Sequence, residues 1–221
     1  MPYASSVVTA RVAAMYSVSS ASLYPYYTTR ADSAGNPYGA LVSVINATAS
    51  AKAVRVRFLE GKNGREVLDF NLFLSPFDVW TGAVLPDPAT GGARVGTPDV
   101  SCTLPSFTVG NPTSPFVGFS NASYSGANDD GAGTGLDRTK EGYFEIIEMA
   151  TYGSTSITGV AVTHVNGVAP CGSKLTDVQA ANDAQPPSGG LFGGLTLINP
   201  GILHQRARMR DALAINTRRG S

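Results

Sequence analysis

Charge is scarce in this sequence, and histidine and cysteine are scarcer. Lys, Arg, Asp and Glu make up 14% of the 221 residues, against about 25% in an ordinary soluble domain. That shortage disfavours coiled coils and long helices, which depend on charged solvent faces. The 2 His and 2 Cys, at positions 102, 164, 171 and 204, lack the close ligand spacings of a structural zinc site. A histidine-based triad in the body of the chain must use His164, because His204 lies in an atypical tail. No apolar run approaches the ~18 uninterrupted residues of a membrane-spanning helix. Nucleophile-elbow, phosphate-loop, HExxH and dinucleotide-binding patterns are all missing.

What the chain has in quantity is turn chemistry: 25 Gly and 14 Pro beside an apolar fraction of 43%. Short strands joined by many turns fit that composition, so an all-β fold is expected. The net charge of zero hides an asymmetry. Residues 1–199 carry 11 basic and 15 acidic side chains, and residues 200–221 carry five Arg against one Asp. A mildly acidic body offers no face for neutralising phosphates, so no nucleic-acid partner is expected. The abrupt shift in composition marks residues 200–221 as a basic tail, an artefact of the reading frame or a solvated arm.

Strand periodicity begins near Ala40. Leu41–Ile45 is a β-branched run closed by Asn46, and Val54, Val56 and Phe58 alternate with Arg55 and Arg57, the pattern of a half-buried strand. The polar stretch 60–65, with Gly61 and Gly64, predicts a hairpin turn. Leu68, Phe70, Leu72 and Leu74 then face one way, with Asp69 and Asn71 opposite. Ser75–Pro76 ends that strand, and Phe77–Thr81 starts another. The small, polar stretch 47–52 makes the first pair a hairpin or a crossing between sheets, and together these runs predict an antiparallel meander over 41–84. Residues 86–136 are rich in Gly and Pro and read as long loops, with short strand candidates at 106–109 and 116–119. Gly142–Ala150 predicts a central strand with Phe144, Ile146 and Met149 inward. Residues 157–164 predict a further strand, residues 176–182 a short helix, and residues 185–190 a linker. Residues 1–22 match a secretory signal only loosely and read either as a degraded signal or as an irregular segment.

Few residues offer chemistry. Cys102 and Cys171 sit in polar loops and read as a disulfide, with two free thiols as the alternative. Closing a loop of about 70 residues would stabilise the fold by about 4 kcal/mol and would point to an oxidising compartment. Asn128, Asp129, Asp130 and Asp137, spaced by Gly131, Gly133 and Gly135, form an oxygen-rich stretch able to wrap Ca²⁺ as a cofactor, or simply a solvated turn. Tyr24, Tyr26 and Tyr27 suggest either a carbohydrate-stacking platform or an extended strand packed on the sheet. Asn46 and Asn121 head glycosylation sequons. His164 reads as a surface or hydrogen-bonded histidine. Glu145 and Glu148, three apart on a strand, point to opposite faces and make a poor acid/base pair.

Several segments resemble a family of uncharacterised secreted proteins of proteobacteria: Tyr24–Thr28, Leu41–Asn46, Lys52–Phe58, Leu74–Thr81, Glu141–Met149 and Gly190–Asn199. The likeness spans Leu23 to Asn199 and implies export, with no catalytic residue to transfer. Both ends depart from the family's pattern, as in a truncated or frame-shifted copy. The expectation is therefore one domain over 23–199, an antiparallel immunoglobulin-like or jelly-roll β-sandwich with long Gly/Pro-rich loops. It would be secreted or held at the cell surface, in the periplasm or outside the cell, with a structural or binding role toward an extracellular partner. A glycan- or calcium-binding module is the alternative, and a hydrolase using acidic residues ranks last. An unpaired edge over Leu191–Ile198 would favour self-association.

Overall fold

The computed structural model describes residues 11–12, 20–107, 116–171, 175 and 182–199. The fold is an antiparallel β-sandwich. In chain order the strands are β1 (Arg11–Val12), β2 (Ala21–Thr28), β3 (Gly39–Asn46), β4 (Ala51–Glu60), β5 (Glu66–Leu74), β6 (Val79–Pro86), β7 (Ala93–Gly96), β8 (Thr103–Leu104), β9 (Phe116–Gly118), β10 (Glu141–Tyr152) and β11 (Leu191–Ile198), with one short helix, α1 (Ile157–Val162). Sheet A has the order β1-β11-β3-β6-β7-β9, and sheet B the order β2-β10-β4-β5-β8. Among the described residues no helix is long and apolar enough to cross a membrane.

Period-two patterning builds the space between the sheets. Val54, Val56 and Phe58 of β4, Phe70, Leu72 and Leu74 of β5, and Phe144 and Ile146 of β10 face inward from sheet B. They meet Val42, Val44, Trp80, Val84 and Val95 of sheet A. Arg55 and Arg57 stay on the outer face, in ion pairs with Asp69, Glu66 and Glu145. Each large side chain so buried contributes about 1.5–3 kcal/mol before conformational entropy is subtracted. Aromatic rings close the middle of the core: Tyr24 stacks on Phe144 at 4.3 Å, and Phe144 on Phe58 at 4.7 Å.

The expected meander is corrected. Of β3 to β6, only β4 and β5 pair as consecutive strands; β3 lies in the other sheet, between β11 and β6. Buried Asn46 braces the crossing. Its Nδ2 donates to Ser50 O at 2.8 Å and Ser75 O at 2.7 Å, while its Oδ1 accepts from Thr48 N and Oγ1. One side chain thus supplies the polar partners that two crossing loops, 47–50 and 75–78, would otherwise lack. In the second of these, Phe77 takes a left-handed φ of 56°, so β6 starts only at Val79.

The strand expected over 157–164 is also corrected, since Ile157–Val162 forms α1. Ser156 caps it by accepting from Gly159 N at 3.0 Å, and Asp183 accepts from Thr158 N and Oγ1. A cap and a docking site outweigh the β preference of valines that have no neighbouring edge to pair with. The helix closes a second, smaller cluster on the outer face of sheet B, made of Ala51, Ala53, Phe73, Tyr152, Val162, Ala169 and Cys102.

Residues 86–136 hold more order than their composition suggests, namely β7, β8, β9 and two 3-10 turns, Ala122–Tyr124 and Gly126–Asn128. The candidate strand over 106–109 is replaced by β8 just before it, and its last two residues lie outside the described residues. So do the tail 200–221 and all of the proposed helix over 176–182 except Asn182, which is in a turn. Of the N-terminal segment 1–22, Arg11 and Val12 pair with Thr196 and Leu195, which gives β11 a partner on each side there.

Candidate functional site

The two ends of the sandwich differ. At one end the disulfide Cys102–Cys171 forms, with a Cα–Cα distance of 5.4 Å, and ties the loop after β7 to the segment after α1. At the other end, the β4–β5 turn, the 126–140 loop and the start of β10 enclose a cleft.

That end is organised by Glu60, which is fully buried at the end of β4. Its carboxylate accepts backbone N–H groups from Lys62 at 2.7 Å, Asn63 at 2.9 Å and Arg65 at 3.0 Å, so one side chain shapes the whole hairpin turn. Arg138 approaches from the other side, with Nη2 at 2.9 Å and Nε at 3.2 Å. Burial by itself would raise the Glu60 carboxyl; Arg138 and the three N–H groups outweigh that and hold it at about 2. Arg138 also reaches Asp130 Oδ1 at 2.7 Å and lies over the Tyr124 ring at 4.1 Å. The hydrogen bonds from Arg138 draw the Asp130 carboxyl far below the usual carboxylate range.

Beside this buried network lies a cleft of about 280 Å³, lined by Tyr26, Arg30, Lys62, Glu141 and Tyr143 with the edge of Arg138. Arg30 Nε meets Glu141 Oε1 at 2.8 Å, and its Nη1 meets Asp137 at 3.2 Å. The Tyr26 hydroxyl donates to Glu141 Oε2 at 3.4 Å. Lys62 Nζ donates to the Ala132 carbonyl at 2.8 Å. The floor needs Gly142: a Cβ there would fall 1.9 Å from Leu59 O, so any side chain would push β10 off β4. Two phenol rings, a guanidinium, a carboxylate and an ammonium thus surround an open space, enough to stack on a flat ligand face and to bond its hydroxyls.

Of the expected tyrosine platform, only Tyr26 is at the surface. Tyr24 and Tyr27 are 1% and 0% exposed, because β2 turns both into the core; the strand alternative therefore holds for them. Tyr143 takes the second place. Its signal was present in the sequence, since period two sets it opposite the inward Phe144.

The oxygen-rich stretch is not gathered around one point. Asp130 is held by Arg138 and Arg65, and Asp137 by Arg30 and Lys140. Asp129 Oδ1 accepts from Gly131 N, and Asn128 Nδ2 donates to the Ala122 carbonyl. Among the described residues, no three Asp, Glu, His or Cys side chains are placed to hold a metal ion.

Glu145 and Glu148 do take opposite faces. Glu145 pairs with Arg57 outside, whereas Glu148 is buried with Lys52 Nζ at 2.6 Å and accepts N–H groups from Ser188 and Gly189. The 185–190 linker is thereby clamped to β10. His164 Nδ1 contacts Ser75 Oγ and lies 3.6 Å from Asp78. Both neighbours face the same ring nitrogen, and Ser75 Oγ already donates to Val162 O at 2.9 Å. A nucleophile needs the serine on one nitrogen and the carboxylate on the other. Asn46, the first sequon, is buried, while Asn121 lies at the surface with its Nδ2 bonded to the Thr134 carbonyl. No protein-family model, no curated protein and no solved structure matches this chain.

Proposed function

We propose that this chain is an exported β-sandwich that works by binding, and that its ligand is a saccharide held in the cleft between the edge strand β2 and the β4–β5 turn. The observation that carries the reading is the pairing of Tyr26 and Tyr143 with the fixed Arg30–Glu141 pair around one open space. A sugar ring presents an apolar face for stacking and a rim of hydroxyls for charged, planar partners, and the cleft supplies both. Its lining holds a single carboxylate, Glu141, already engaged by Arg30. Glycoside hydrolysis takes two carboxylates flanking the scissile bond, so binding is favoured over cleavage. Support for export comes from the disulfide, which persists in oxidising compartments, and from the resemblance of several strands to secreted proteobacterial proteins.

A glycan array probed with the wild-type protein and with Tyr26→Ala/Tyr143→Ala tests this. The wild type should retain a defined set of glycans, and the variant should lose at least about tenfold in affinity with its melting temperature little changed. Failure of the wild type to retain any glycan overturns the reading.

A further inference from the structure

Charge around the cleft is balanced at every position but one. Arg30 is matched by Glu141 and Asp137, and Arg138 by Glu60 and Asp130. Lys62, exposed on the turn after β4, has no carboxylate within 4.0 Å among the described residues; its ammonium meets only the Ala132 carbonyl. It is nonetheless well positioned. Its backbone N–H is anchored on Glu60 at 2.7 Å, and the 2.8 Å bond to Ala132 ties its head to the opposite loop. An ammonium held in place at the mouth of an aromatic cleft without a counter-ion is arranged for a ligand that brings the negative charge.

We infer that the cleft selects an acidic saccharide, a sugar whose carboxylate seats on Lys62 while its ring faces Tyr26 and Tyr143. This rests on the saccharide reading and sharpens it to uronic-acid chemistry. Glu141 does not oppose it, because Arg30 already neutralises that carboxylate at 2.8 Å. The ion pair would be partly solvated, so its contribution is selectivity and salt dependence rather than bulk affinity.

The test uses oligogalacturonate and the same oligomer with its carboxylates methyl-esterified, titrated calorimetrically into the full chain. The wild type should bind the acid form about tenfold more tightly than the ester, and the preference should shrink as salt rises. Lys62→Gln, at an exposed position where folding is not at stake, should bind both forms equally, and Lys62→Arg should keep the preference. Equal binding of the two forms by the wild type, or a preference that survives Lys62→Gln, overturns the inference and leaves the saccharide reading standing. Binding of neither form, with no glycan retained on an array, removes both.

Discussion

Replacing Glu60 with glutamine keeps the shape of the side chain and removes the charge on which the cleft end is built. In the native protein that buried carboxylate accepts three backbone N–H groups and two bonds from Arg138. A glutamine has one accepting oxygen, and its NH₂ would face N–H donors. The size of the loss follows from the carboxyl's depression from 4.5 to about 2, which corresponds to about 3 kcal/mol of folding free energy at neutral pH. Breaking a buried ion pair from one side gives a similar figure, about 3–5 kcal/mol; the lower end applies, because Asp130 still partners Arg138. The sign of the pH dependence is fixed by the direction of the shift. A depressed carboxyl contributes its full stability above about 4.5 and loses it as pH falls toward about 2, with more than half gone by pH ~3. Urea unfolding of the wild type and Glu60→Gln at pH 7, 5 and 3 checks this. The gap between the two proteins should be about 3 kcal/mol at pH 7 and should narrow at pH 3. A gap below about 1 kcal/mol at neutral pH, or one that stays constant down to pH 3, would refute the reasoning.

Cys102→Ala/Cys171→Ala should lower stability by about 4 kcal/mol, read by urea unfolding against the oxidised wild type; an unchanged midpoint would mean that the second cluster holds without its covalent tie. Lys52→Met leaves Glu148 buried without its cation and should cost about 3–5 kcal/mol, with Lys52→Met/Glu148→Leu recovering part of the loss; equal stability of the single variant and the wild type would contradict the burial of the pair. Calcium at millimolar concentration should leave the melting temperature unchanged, because Asp130 and Asp137 are already engaged by Arg65, Arg138, Arg30 and Lys140; a rise of several degrees would restore the stretch as a cation site.

What the sequence made legible was local. Alternation in 54–58, 68–74 and 142–148 identified which side chains face inward, since a period of two needs no knowledge of the partner strand. The sequence left a hairpin and a crossing between sheets both open at 47–52. The crossing is braced by Asn46 bonding to Ser50 and Ser75, and the second of these contacts spans 29 residues. The valine-rich stretch at 157–162 became a helix because Ser156 and Asp183 supplied its partners, which propensity alone does not register. At the cleft end, Tyr26 was within reach of sequence reasoning and Tyr143 could have been found from the same alternation. The Glu60–Arg138 pair joins residues 78 apart in the chain. No spacing rule announces such a pair, and the oxygen-rich stretch looked like a cation site because two of the arginines that engage it, Arg30 and Arg65, come from elsewhere in the sequence.

The most direct test of the account is to map where a ligand lands. Amide chemical shifts of the labelled protein, followed as oligogalacturonate is added, should move at Tyr26, Arg30, Gly61, Lys62, Gly142 and Tyr143 and stay still around Cys102, His164 and Cys171. Perturbations centred on the disulfide end, or none at any residue of the cleft, would contradict it.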